Sequence, residues 1–143
     1  MTAKEYLMQI EKLDTCINQR QVECDELREM MHSVGGISYD EKVQRRPRAD
    51  AFERRVVKYV EMEQKINNMI DEFVDLKHEI INQIQSLSDE KHISVLFKRY
   101  VQYKSFEQIA VEMSYSYQYV RELHGCALEE FESSYKILHA SVL

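Results

Sequence analysis

Ser105–Phe131, SFEQIAVEMSYSYQYVRELHGCALEEF, is the stretch whose reading decides the fold. Ser105 followed by Gln108 has the form of a capping box, which predicts a helix start. Ile109, Ala110 and Met113 then make the buried face of a short helix, with Ala110 small enough for a second helix to cross close by. Ser114 and Tyr115 make a turn. The position that most often holds glycine, because it needs φ > 0, is Ser114 here. Ser116 is suited to cap a second helix, its hydroxyl accepting from a free backbone N–H. Val120, Leu123, Ala127 and Leu128 give that helix an apolar face at i, i+3, i+7, i+8. Together these signals predict a helix-turn-helix. An ordinary helical hairpin that binds nothing fits the same pattern.

If the unit is a DNA reader, its second helix enters the major groove and residues near its N-terminus reach base edges. Gln118, Arg121 and Glu122 rise together from the N-terminal half of that helix. Tyr117 flanks them, and Ser116 stands where free N–H groups can meet a phosphate. Arginine suits guanine, glutamine adenine, and glutamate the amino group of cytosine. Tyr117 can reach a phosphate or a thymine methyl, whereas Tyr119 either joins it or packs against the first helix. Lys104, just before the first helix, and Arg99 are candidate phosphate contacts.

With the helix ending near Lys104, these residues resemble region 4 of sigma-70-type factors, which reads the promoter −35 element; FEQIAVEMSYSYQYVRELHGCALEEF carries the likeness. Over its whole length the chain resembles a family of small phage-encoded proteins that open like MTAKEYL, continue in a long helical middle and end in a region-4-like unit with an LHGxAL-like motif. Leu123, His124, Gly125, Ala127 and Leu128 carry that motif here. Related phage proteins of the ArpU/RinA type are regarded as late-gene transcription regulators. The resemblance implies a prophage regulator in a bacterial host, with double-stranded DNA and host RNA polymerase as partners. It also implies Gln118, Arg121 and Glu122 as the groove-facing positions.

Around this stretch the sequence is strongly helical. The 143 residues include three glycines and one proline, which predicts an all-α protein. Thr2 with Glu5 forms a capping box. Tyr6, Ile10, Leu13, Ile17, Cys24, Leu27 and Met31 follow as a heptad stripe, skipping one step at Arg20. A helix Thr2–Met31 is predicted. Residues 33–49, SVGGISYDEKVQRRPRA, read as a loop holding two glycines and the proline. Asp50 with Glu53 predicts the start of a second long helix, Asp50–Leu87, with Phe52, Val56, Tyr59, Ile66, Ile70, Phe73, Ile80, Ile84 and Leu87 on its stripe. Met62, Met69 and Leu76 widen it. The matched lengths predict a long, antiparallel, coiled-coil-like hairpin over residues 1–87, able to form a homo-oligomer. The helix-turn-helix domain then occupies 88–143. Ser88 or Ser86 is expected to cap its first helix, where Ile93, Leu96, Phe97 and Tyr100 follow helical spacing. Tyr135 and Leu138 predict that the last helix runs on past Phe131. Gly125, inside it, is expected to allow close approach of another helix.

Charge bears on partners. The chain carries a formal net charge of −6, the wrong sign for binding DNA mainly by charge. From Lys42 to Lys58, however, seven cations (Lys42, Arg45, Arg46, Arg48, Arg54, Arg55, Lys58) face two carboxylates (Asp50, Glu53), a net +5. Arg45, Arg46 and Arg48 are candidate phosphate contacts, or simply a solvated loop and helix start. From Ser88 onward six cations face eight carboxylates, a net −2, so an isolated helix-turn-helix is expected to bind weakly and to need a dimer or polymerase tether.

Cys16, Cys24 and Cys126 have no paired metal spacing, and an odd count without a secretion signal suggests a reducing cytoplasm. No nucleophile–base pair or glycine-rich phosphate loop occurs, and the histidines are scattered, so neither an enzyme, a cofactor nor a metal is expected. No stretch has the length and apolarity of a membrane span. Two other functions fit the same elements. One is a helical interaction module that binds polymerase without reading DNA. The other is a DNA-packaging component, since small terminase subunits also join a helix-turn-helix to an oligomerising helical region.

Overall fold

The computed structural model describes residues 1–35 and 45–142, with side chains for residues 1–32 and 50–135. Every regular element among them is helical: α1 (Ala3–Gly35), α2 (Arg45–Gln85), α3 (Glu90–Leu96), a π-turn (Phe97–Val101), α4 (Phe106–Met113) and α5 (Tyr117–Val142). The chain divides into two compact units. Unit 1 comprises Met1–Leu13 with Phe73–Leu143, and unit 2 comprises Asp14–Glu72. The boundary expected after Leu87 therefore falls inside unit 1.

Unit 1 starts at the Thr2–Glu5 capping box. The Thr2 N–H donates to Glu5 Oε2 at 3.0 Å and the Glu5 N–H donates to Thr2 Oγ1 at 3.2 Å. These bonds satisfy donors that have no partner within the first turn. Ala3, Leu7 and Ile10 of α1 enter one core with Ile80, Ile84 and Leu87 from the end of α2. Val95, Leu96, Tyr100 and Val101 join from α3 and the π-turn, Ile109 and Ala110 from α4, and Val120, Leu123, Ala127 and Phe131 from α5. The Tyr6 hydroxyl donates to Gln83 Oε1 at 2.7 Å, tying the start of α1 to α2.

The cap of α3 differs from expectation. Asp89, not Ser88 or Ser86, caps α3, its carboxylate accepting from the Lys91 N–H at 2.9 Å. A carboxylate at an N-cap also meets the positive end of the helix dipole. Ser88 is occupied elsewhere: its N–H and hydroxyl both donate to Glu130 Oε1 of α5, at 3.0 and 2.8 Å. The Ser86 hydroxyl turns back onto the Gln83 carbonyl.

In unit 2 the α1 stripe behaves as its spacing predicts, with Ile17 and Cys24 buried and Leu27 and Met31 half-buried. On α2 Ile66 is buried, but Phe52 and Ile70, both placed on the stripe by spacing, are exposed. Glu23, Glu26, Leu27 and Met30 line one shallow groove together with Lys58, Glu61, Met62 and Lys65. Burial, followed by the charges of Glu63 and Asp25, raises the Cys24 thiol pKa.

The long helices extend further than predicted at the ends that adjoin residues 36–44, while α2 ends at Gln85 rather than Leu87. α1 continues to Gly35, and α2 begins at Arg45 rather than Asp50. Asp50 and Glu53 thus lie within α2 instead of capping it. Pro47 is no obstacle, because first-turn N–H groups have no partner inside a helix. Arg45, Arg46 and Arg48 open α2, and their side chains lie outside the described residues, as do residues 36–44, where the sequence predicts a loop.

Candidate functional site

The Ser105–Phe131 stretch lies within unit 1. At the start of α4 the Ser105 N–H donates to Gln108 Oε1 at 2.9 Å, and the Gln108 N–H donates to Ser105 Oγ at 3.2 Å. This is the reciprocal cap predicted from the sequence. α4 ends at Ser114, whose backbone is left-handed at φ 59°, ψ 40°. A residue other than glycine bears some strain there. The Tyr115 N–H donates to the Ala110 carbonyl at 3.0 Å, closing the turn. Ser116 Oγ then accepts from the Tyr119 N–H at 3.1 Å and opens α5.

Behind the turn, Ile109, Ala110, Val120 and Leu123 are buried together, which fixes α4 against α5. In front, Tyr117, Gln118, Arg121, Glu122, Gly125 and Cys126 are exposed. The first four therefore share the solvent-facing side of the first turns of α5. Tyr119 is exposed as well, and its ring meets Tyr115 edge-on at 4.8 Å. Gly125 needs a different explanation from the one expected, since a Cβ built there meets nothing within 4 Å. Among the described residues no close approach requires glycine at this position.

Two of the expected cations are engaged within the protein. Lys104 is paired with Glu112 of α4, and Lys98 lies 3.8 Å from the same carboxylate. The Lys104 contact is the first cause of a lowered Glu112 pKa. Arg99 donates from Nη1 to the Lys104 carbonyl at 3.0 Å, and its Cζ lies 4.3 Å from the centre of the Phe106 ring. Both groups brace the junction that leads into α4. That junction is unusual. The Gln102 N–H reaches the Phe97 carbonyl, the Lys104 N–H reaches the Lys98 carbonyl, and Tyr103 is left-handed at φ 58°. Sequence periodicity does not reveal the π-turn, because the helical segment ends within it and no later turn remains to show the shifted spacing.

His124, named above only as part of the LHGxAL-like motif, has a structural role. It is buried on α5, and the Tyr100 hydroxyl lies 2.6 Å from its Nε2. Its ring stacks on Tyr100 at 5.6 Å and meets Phe106 edge-on at 5.0 Å. Burial first, then the charges of Arg99 and Lys4, lower its pKa to about 4. Burial raises Tyr100 to about 12. At neutral pH the phenol and the imidazole are thus both uncharged, and the imidazole tautomer sets which of the two donates. The signal was available in the sequence: His124 follows Val120 by four residues and so falls on the buried face.

A second polar cluster joins α3 to α5. Glu130 contacts His92 Nδ1 and accepts both bonds from Ser88. The His92 contact is the largest cause of the lowered Glu130 pKa, and the Ser88 bonds add to it. Among the described residues no group of three or more His, Cys, Asp or Glu is placed to hold a metal ion. No described helix is long and apolar enough to cross a membrane. The three cysteines are unpaired, with Cys24 buried and Cys16 and Cys126 exposed. No family model, curated protein or solved structure matches this chain.

Proposed function

We propose that the protein is a sequence-specific DNA-binding regulator of phage or prophage transcription. In this reading α4 and α5 form a sigma region 4-like helix-turn-helix, and α1 with α2 form an antiparallel, coiled-coil-like hairpin through which copies associate. The observation that carries the reading is the local construction of Ser105–Arg121. A reciprocally capped helix, a left-handed turn residue and a serine-capped second helix leave Tyr117, Gln118, Arg121 and Glu122 exposed on one side. In a groove, Arg121 is suited to guanine and Gln118 to adenine, while the N-terminus of α5 faces a phosphate.

A second reading draws support from charge. The chain is net negative, and Lys104 and Arg99 are held in contacts within the protein. A reader of this kind gains little from counterion release and works best when tethered, with RNA polymerase the expected tether. In the limiting case the protein binds polymerase without reading DNA.

Selection of bound sites from random duplex DNA, with and without RNA polymerase, tests both readings. A motif enriched by the protein alone supports direct readout, and a motif enriched only with polymerase supports the tethered form. Polymerase capture without any motif overturns DNA reading. On a selected site, Arg121→Ala is expected to cost about 1–3 kcal/mol and to relax preference at one base pair.

A further inference from the structure

We propose that Tyr117 positions Arg121 for base recognition, as the last rung of a cation–aromatic ladder anchored at the π-turn. The proposal rests on the DNA-reading function proposed above and names the device that gives its strongest base contact a fixed direction.

The ladder is built from four side chains. Arg99, half-buried, lies over the Phe106 ring with its Cζ 4.3 Å from the ring centre. Phe106 meets Tyr117 edge-on, ring centres 6.4 Å apart. Arg121 lies over the Tyr117 ring with its Cζ at 5.8 Å. The two ends differ in freedom. Arg99 is held by its bond to the Lys104 carbonyl, and Phe106 is further wedged by His124 at 5.0 Å. Tyr117 is 44% exposed, and Arg121 is exposed beyond it. Order therefore passes outward from a braced junction to a side chain at the surface.

An unrestrained arginine loses much of its rotamer freedom when it is fixed on a base. A guanidinium already resting on a ring has part of that freedom removed before DNA arrives, while its in-plane N–H groups stay open to guanine O6 and N7. The tyrosine ring, not its hydroxyl, performs this task. The position is four residues before Arg121, where side chains on one helix face meet.

The test separates the ladder from the function beneath it. In the free protein, Arg121 side-chain N–H resonances should carry a ring-current shift that disappears in Tyr117→Leu and survives in Tyr117→Phe. On a selected duplex, Tyr117→Leu should weaken discrimination at the Arg121-dependent base pair by about two- to five-fold, the size of an exposed cation–π contact. Its salt dependence should stay that of the wild type, and Tyr117→Phe should restore discrimination. If both Tyr117 variants discriminate like the wild type while Arg121→Ala does not, the ladder is overturned and DNA reading stands. If the wild type enriches no site, or Arg121→Ala discriminates like the wild type, the readout role falls even where the ring-current shift is present.

Discussion

Unit 1 and unit 2 share two helices and differ in how those helices are covered. In unit 1, the first turns of α1 and the last turns of α2 meet three further helices. Leu7, Ile10, Ile80 and Ile84 lose all contact with solvent there. In unit 2 the same two helices continue, but among the described residues only Ile17, Cys24 and Ile66 are buried. Val22, Val57 and Val60 are each more than half exposed. Two helices side by side offer one seam, so each can bury a stripe and no more. Stability should accordingly be concentrated in unit 1, with unit 2 opening at lower free energy. A second copy lying on unit 2 would reverse that expectation, which makes the comparison a probe of association.

The largest expected effect comes from dividing the chain. A fragment Ser88–Leu143 lacks Leu7, Ile10, Ile80, Ile84 and Leu87 of the shared core, and it should show no cooperative unfolding transition. A chain in which a short glycine linker joins Leu13 to Phe73 keeps that core and should unfold cooperatively. Calorimetry of the two distinguishes the unit boundary found here from one after Leu87. Next in size is a matched pair of truncations. Leu7→Ala in unit 1 should cost about 2–5 kcal/mol, as deletion of a fully buried leucine does. Leu27→Ala in unit 2, half-buried, should cost about 1 kcal/mol. Equal costs in denaturant melts at high protein concentration, with a gap opening on dilution, would reveal unit 2 to be covered by a second copy.

Acid should act on unit 1 first through His124. Its folded pKa of about 4 lies below the ordinary value of 6.5. Between those values the unfolded chain takes up a proton that the folded chain refuses. Stability is therefore full above pH 6.5 and falls as pH drops towards 4, by up to about 3 kcal/mol at 1.36 kcal/mol per pH unit. Glu130, with its pKa lowered by His92 and Ser88, adds a further loss below the ordinary carboxylate range. His124→Gln keeps a hydrogen-bonding partner for the Tyr100 hydroxyl and does not titrate. Its melting temperature should change less between pH 6.5 and 4.5 than that of the wild type. The smallest effect is a gain: Gly125→Ala should stabilise by about 0.5–1 kcal/mol, since the added methyl meets open space. Loss of DNA or polymerase binding in that stable variant would locate a partner's close approach at Gly125.

Much of the candidate site could be read from local chemistry. Ser105 with Gln108, Ser114 and Ser116 bond to groups three or four residues away, so their roles follow from spacing alone. The all-helical class and the α1 stripe follow from composition and period in the same way. Spacing could not tell which stripe residues find cover: Ile66 and Ile70 read alike, and only Ile66 is buried. Nor could it tell that Lys104 meets Glu112, that Arg99 lies on Phe106, or that His124 meets Tyr100. Those pairs depend on where separate helices cross. The unit boundary is of the same kind. It falls within two continuous helices, where no loop, glycine or proline marks it, because it is set by which neighbours reach each turn. Helix formation answers to bonds four residues apart, whereas burial answers to partners far along the chain, as Tyr6 and Phe131 show. The first was legible in the chain, and only the folded structure decided the second.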